Sequence, residues 1–258
     1  MATVIAIVNQ KGGVGKTTTT ANIGVALAEL GKRILFLDLD AQAHLSLGFG
    51  VEIQEGQPSI YNLLFDESLP LDSVIRRNVH PNADLLPADI NLSAADLQLI
   101  SEMNRERVLA RRLAHWTDQY DFVLIDNSPS LSLLVINSLT AANYALVPVQ
   151  CAFWALRGMK QLFATVDKIK SADLNPKLKV LGILPTMFDA RTSISNQVME
   201  RLREGFGGTV FETTIKKTVQ FDYAAVAQQP LLVHTKDSEA ADAYRAVAKE
   251  VLIRVKKA

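Results

Sequence analysis

A doubly wound, mostly parallel β-sheet flanked by helices, in one α/β domain spanning residues 1–258, is the fold this sequence predicts. Three observations point to it. Short apolar runs alternate with helical patterns along the whole chain, which is the rhythm of βαβ units. Two of those runs, 33–40 and 120–126, are almost continuously apolar, as strands buried on both faces are. Near the N-terminus a strand, a glycine-rich loop and a helix follow one another, the setting a phosphate-binding loop requires.

Composition sets the outer bounds. Hydrophobic residues make up 48% and charged residues 21% of the 258, enough for one large core. Net charge is zero, so any nucleic-acid surface has to be a local patch. Cys151 is the sole cysteine, which excludes an internal disulfide and a cysteine-built metal cluster within one chain. A reducing, intracellular compartment suits that composition. The first apolar run is short and leads straight into the loop, unlike a signal peptide. Residues 127–156 carry no charge and are numerous enough to span a bilayer. Polar residues and two prolines interrupt them, so a helix and a buried strand are expected there, and no transmembrane segment.

Taken in order, the first strand covers 3–8 and feeds N-Q-K-G-G-V-G-K-T-T at 9–18. Gly12, Gly13 and Gly15 let successive backbone N–H groups face phosphate oxygens, aided by the dipole of the following helix. That helix is patterned over 19–30 and ends at Gly31, a good C-cap. Lys16 is placed to reach β- and γ-phosphates, and the Thr17 hydroxyl to ligate Mg²⁺. The run 33–40 ends in Asp38 and Asp40, which a period of two puts on one side, near the phosphates. Asp38 reads equally well as a capping carboxylate. Residues 41–80, with Gly48, Gly50, Gly56, Pro58 and Pro70, read as loops with short helices that cover the nucleotide or form part of a dimer face.

A strand at 83–88, a helix at 93–100 capped by Ser93, and a helix at 104–116 follow. The last carries Arg105, Arg107, Arg111 and Arg112, a solvated face partly balanced by Glu102 and Glu106. The strand 120–126 ends at Asp126, the expected holder of Mg²⁺ and its waters, and 127–130 falls where the γ-phosphate is sensed. The pattern closes with strand 144–149, helix 156–169, strand 178–184, helix 193–206, a short strand at 209–211 and a terminal helix at 238–257.

K-G-G-V-G-K-T-T, with an extra Lys11 and with Gln10 where the usual loop has glycine, resembles the deviant Walker A loop of the ParA/MinD class of P-loop NTPases. The nearest resemblance is to the ParA/Soj partition proteins and covers almost the whole chain. It rests on LDLDAQAHLSLG at 37–48, YDFVLIDNSPSLSLLVINSLTAA at 120–142, LVPVQCAFWALRGM at 146–159, ILPTMFDARTSISNQV at 183–198, VFETTI at 210–215 and AYRAVAKEVL at 243–252.

The resemblance implies an ATPase using ATP and Mg²⁺. Lys11 would cross an ATP-sandwiched homodimer to the partner's phosphates, as an arginine finger does in trans. Gly12, Gly13, Val14, Gly15, Lys16, Thr17 and Thr18 would hold the triphosphate, and Asp40 would orient the attacking water. Thr17 would bind Mg²⁺ directly, Asp40 and Asp126 through water. The adenine would lie between Pro185, Met187 and the loop after Ile215, beside Lys216 and Lys217. Implied partners are non-specific double-stranded DNA and a ParB-like activator, in a cytoplasmic, nucleoid-associated setting with no membrane. Candidate cations for DNA phosphates are Arg191, Lys216, Lys217, Arg245, Lys249, Arg254, Lys256 and Lys257.

Several positions depart from that family's pattern. Ala41 stands for a common proline, Asn127-Ser128 for Thr or Cys then Pro, and Arg157 for Glu. Lys216 to Gln220 replace most of P-R-N-V-R, and Asp222-Tyr223-Ala224-Ala225 replace S-E-A-P. The alternative is a MinD-like membrane-cycling ATPase, since the basic terminal helix has Val247, Val251, Leu252 and Val255. A nitrogenase-iron-protein activity needs cluster-ligating cysteines and is set aside.

Overall fold

A computed structural model describes residues 2–152 and 155–257. From the N-terminus the chain forms β1 (Thr3–Ile7), α1 (Lys16–Glu29), β2 (Ile34–Leu39), α2 (His44–Leu47), α3 (Ile60–Phe65), β3 (Arg76–His80) and β4 (Ala83–Leu86). Next come α4 (Ala95–Ser101), α5 (Val108–Leu113), β5 (Phe122–Asn127), α6 (Leu133–Ala141), β6 (Tyr144–Gln150) and α7 (Ala155–Ser171). The last third adds β7 (Lys179–Thr186), α8 (Ser193–Phe206), α9 (Gln220–Val226), α10 (Leu231–His234) and α11 (Glu239–Lys257).

The strands form one sheet in the order β3-β4-β2-β5-β1-β6-β7. All neighbours are parallel except β3 and β4. The period of two divides the core cleanly. Ala6, Leu35 and Leu37 enter one apolar layer, while Ile5, Ile7 and Phe36 enter the other. Helices α1 and α11 cover the second layer, and α3 to α8 supply the first. The parallel doubly wound sheet expected from the apolar runs is the one observed.

Both sheet edges are occupied. At one, β3 runs antiparallel with an irregular register between Arg76 and His80. At the other, Phe211 N donates to Ile183 O and Ile215 N to Pro185 O, both at 2.9 Å, so the segment after α8 covers β7. On α11, Val247 and Val251 are buried and Leu252 and Val255 pack against the same layer. No helix among the described residues is long and apolar enough to cross a membrane.

Four local expectations are corrected, and two short helices are new. β3 lies inside 41–80, where only loops and short helices were expected; its polar R-R-N core needs little burial on an antiparallel edge. The strand at 209–211 is a 3₁₀ turn (Gly207–Thr209) followed by a single bridge from Val210 to Ile183, because two glycines favour a turn over a ladder. The helix at 104–116 begins only at Val108, after a 3₁₀ turn (Arg105–Arg107) that Asn104 enters with φ 52°. Ser93 caps nothing: a 3₁₀ turn (Ile90–Ala94) already carries the backbone into α4. Helices α9 and α10 had no sequence expectation, being short and only partly apolar.

Helix α1 approaches the sheet through Gly24. A Cβ there would stand 2.1 Å from Cε1 and Cζ of Phe36 and 3.0 Å from Leu124 Cδ1. Phe36 is fully buried and packed on Phe49, so its ring has nowhere to retreat. Overpacking costs about 1–3 kcal/mol, against roughly 1 kcal/mol gained from alanine's helix propensity. The clash wins. Gly24→Ala is expected to lower the urea unfolding midpoint without changing the slope, and a raised midpoint would contradict this packing.

Candidate nucleotide site

The loop between β1 and α1 turns on Gly13 (φ 69°) and Gly15 (φ 85°), both in the left-handed region that disfavours side chains. Gly15 is the N-cap of α1 and offers no side-chain acceptor, and the first turn has no acidic residue. The N–H groups of that turn and the helix dipole are therefore left for an external anion. Val14 is buried, and its carbonyl accepts from Thr186 Oγ1 at 2.9 Å, which ties the loop to the end of β7.

Lys16 opens α1 and is buried; its Nζ lies 3.4 Å from Lys11 O. Burial pulls its pKa below the usual lysine range, while the charges of Asp126 and Asp40 act in the opposite sense. Thr17 Oγ1 donates to Asp126 Oδ2 at 2.7 Å, and Thr20 Oγ1 to Asp126 Oδ1 at 3.3 Å. Asp126 is fully buried, and burial followed by the neighbouring Asp38 charge raises its pKa. Asp38 sits beside it in the β2–β5 register and is raised too, chiefly by burial.

A cavity of about 500 Å³ opens in front of this loop. Of the expected site residues, Gly13, Gly15, Lys16, Thr17, Thr18, Asp40, Met187, Lys216 and Lys217 line it. Gly12, Val14, Asp126 and Pro185 stand outside that lining. Asp126 lies behind Thr17, and Pro185 is a buried strand residue whose carbonyl holds Ile215. Lys11 is exposed and also outside the lining, and its Nζ donates to Gln150 Oε1 at 2.8 Å.

Of the two readings of Asp38, the structure favours the capping carboxylate. It accepts from Ser46 N at 2.9 Å, Ser46 Oγ at 2.7 Å and Asp40 N at 3.2 Å, so it anchors the turn carrying Asp40. Gln42, His44, Phe221, Ala225 and Tyr244 also line the cavity and had no sequence signal. Tyr244, from the last helix, pairs its hydroxyl with Thr19 Oγ1 at 3.2 Å.

Two buried polar atoms near the loop have no partner: Gln10 Nε2 and Asn127 Oδ1. The Asn127 amide is oriented unambiguously, since its Nδ2 donates to both Ile7 O and Ile125 O at 3.2 Å. Its acceptor side is left unsatisfied at the end of β5, a place suited to a water or ligand donor.

The candidate DNA cations divide sharply. Arg254 is corrected to a structural role: it stacks 4.3 Å over Phe211, pairs with Glu250, and donates to carbonyls of Leu181, Gly208, Thr209 and Val210. Arg245 bridges Glu29 and Asp242, Arg191 pairs with Asp189, and Lys216 with Glu239. Lys217, Lys249, Lys256 and Lys257 are exposed and form no ion pair within 4 Å among the described residues, although Lys217 acts on Asp189 at longer range. The side chain of Arg157 lies outside them.

The family model described as an AAA domain matches residues 2–180. The sporulation initiation inhibitor protein Soj of Bacillus subtilis is 40% identical over 251 residues, covering 97% of this chain and 98% of that one. The chromosome partitioning protein ParA of Caulobacter vibrioides is 38% identical over 253 residues, covering 97% and 94%. The chain belongs to the Soj/ParA ATPase family. Among solved structures, cobyrinic acid a,c-diamide synthase from Mycobacterium smegmatis with bound ADP and magnesium has a TM-score of 0.86 at 36% identity, covering 99% of this chain and 96% of that one.

Solved structures of the Mycobacterium smegmatis protein hold ADP or an ATP analogue with magnesium. The residues of the present chain fit such groups. The uncapped first turn of α1 and Lys16, which forms no ion pair within 4 Å, suit phosphate oxygens, and the Thr17 hydroxyl held against Asp126 suits a hard cation.

The Asp38–Asp126 pair has a consequence for the ligand-free protein. A carboxyl raised in the folded state binds its proton more tightly there than when unfolded. Its contribution is therefore present at low pH and lost as pH rises through the folded value. Ligand-free stability is expected to fall between pH 3.8 and about 8, the range over which Asp126 is shifted. Asp126→Asn should flatten that slope in urea titrations; an equally steep slope in the variant would exclude the assignment.

Proposed function

We propose that the chain is a dimerising ATPase of the partition type. ATP drives two copies together, the pair binds double-stranded DNA without sequence preference, and hydrolysis stimulated by a ParB-like partner releases it. The cargo is a plasmid, a chromosome or a protein assembly, and the setting is cytoplasmic and nucleoid-associated. The contrast between the two loop lysines carries this reading. Lys16 is buried and lines the cavity, whereas Lys11 is exposed, stands outside the lining and is held by a neutral amide. A cation that does not line its own nucleotide cavity is free to serve a second copy's phosphates.

Bound Mg²⁺ would neutralise phosphate charge and polarise the bond to be broken. The chain's part is positioning. Gly12, Gly13, Gly15 and Thr18 shape the cradle, Lys16 pairs with phosphate, and Thr17 presents its hydroxyl under the hold of Asp126. Asp40, half-exposed on the cavity wall and steadied through Asp38, is the carboxylate available to orient a water.

For DNA, the exposed Lys217, Lys249, Lys256 and Lys257 offer phosphate contacts without first breaking an ion pair. Arg191, Lys216 and Arg245 would each have to exchange a carboxylate for a phosphate. The membrane-cycling alternative is weakened because the apolar face of α11 is already packed against the sheet. An amide-forming activity, suggested by the name of the Mycobacterium smegmatis protein, needs a nitrogen source. Cys151 is a poor candidate to release ammonia from glutamine, being buried with its thiol pushed up to about 12.

Asp40→Ala is expected to bind ATP yet hydrolyse it at least 100-fold more slowly, accumulating a dimer in size-exclusion chromatography. An ATP-bound variant that stays monomeric would refute the role. Wild-type protein with ATP and Mg²⁺ should retard random-sequence duplex at low salt. Replacing Lys249, Lys256 and Lys257 together by Gln should reduce the log–log salt slope by about 2–3, at roughly 0.9 per lost phosphate contact. An unchanged slope would move the DNA surface elsewhere.

A further inference from the structure

We propose that Asp222 reads the base of the nucleotide by accepting a hydrogen bond from the exocyclic amine of adenine. The inference rests on the cavity being the ATP site and names the group that selects the base within it. The cavity has two chemically different ends. Gly15, Lys16 and Thr17 make the phosphate end, at the uncapped start of α1. Met187, Ile215, Phe221 and Ala225 supply the apolar wall on which a purine ring can rest.

Helix α9 borders that end: Phe221 is half-buried against the cavity, and Asp222 and Ala225 line it while remaining open to solvent. The carboxylate of Asp222 has no hydrogen-bond or ion-pair partner among the described residues; only its backbone N–H is engaged, with Val219 O at 3.0 Å. Of the two lysines after Ile215 that line the same cavity, Lys216 is paired with Glu239 and Lys217 acts on Asp189. A carboxylate only accepts hydrogen bonds. On the adenine ring the one donor is the amine at C6; N1, N3 and N7 are acceptors. Asp222 therefore selects for the amine, and it stands where related proteins of this class commonly carry serine.

The test is equilibrium competition against a fluorescent ATP analogue, with Mg²⁺, using ATP, purine riboside triphosphate (which lacks the amine) and GTP. Wild-type protein is expected to bind ATP about tenfold more tightly than purine riboside triphosphate, the worth of one charge-assisted hydrogen bond in a solvent-accessible site. Asp222→Ala should erase that preference by weakening ATP alone. Asp222→Asn, which keeps an acceptor oxygen, should retain most of it. A preference untouched by Asp222→Ala, or an equal loss for both nucleotides, would overturn the proposal. GTP binding more tightly than ATP in the wild type would also overturn the assignment to the adenine amine, since guanine offers donors at N1 and N2. Failure of the underlying site is read separately: ATP affinity unchanged in Lys16→Ala would place the triphosphate elsewhere.

Discussion

The hydrogen bond from Thr17 to the buried carboxylate of Asp126 is the constraint on which the site depends. It joins the first turn of α1 to the carboxyl end of a central strand, so the loop between them cannot drift from the sheet. Burying a carboxylate is expensive unless hydrogen bonds and an opposite charge compensate it. Here two threonine hydroxyls and the ammonium of Lys16 do so only in part, and Asp126 and Asp38 are both raised as a result. A cation arriving beside the Thr17 hydroxyl, as proposed above, would offset that strain and so favour the folded form.

Much of this arrangement was legible in the sequence, and the reasons are specific. Glycines with positive φ, a lysine and two hydroxyls at fixed spacing encode the phosphate cradle in consecutive residues. The strands of the sheet are apolar on both faces and announce themselves in composition. What stayed hidden depends on contacts between distant segments. Arg254 sits among lysines on a terminal helix and reads as a solvated cation, yet Phe211 and four carbonyls claim it. Asp38 and Asp40 share a strand face on paper, but only the folded turn at Ser46 shows that the first serves the second. Tyr244 and Phe221 reach the cavity from the far end of the chain, and no local pattern marks them. β3 was missed because an edge strand with half-exposed polar residues lacks the apolar signature.

Asn127 illustrates how a departure from a family pattern can be structural. Where related loops commonly carry Thr or Cys, its amide braces β5 against β1 through the Ile7 carbonyl and folds back on the Ile125 carbonyl of its own strand. The side chain becomes a strut, and its remaining oxygen is buried without a partner. A substitution of this kind alters local stiffness and hydrogen-bonding capacity together, without disturbing the cradle itself.

The two closed sheet edges have a consequence for how copies of the chain can meet. A bare parallel edge is a template for another strand, and its natural product is an open-ended ribbon. Here an antiparallel, irregular β3 guards one side and the segment at 210–216 saturates the other. Strand addition is disfavoured on both sides. In the dimer proposed above, contact would fall instead at the crest of the sheet, where the loops gather and where an encounter of two equal surfaces closes on itself instead of propagating. Such an assembly would gain from this, because its reversible contact is kept separate from the one kind of contact that does not reverse.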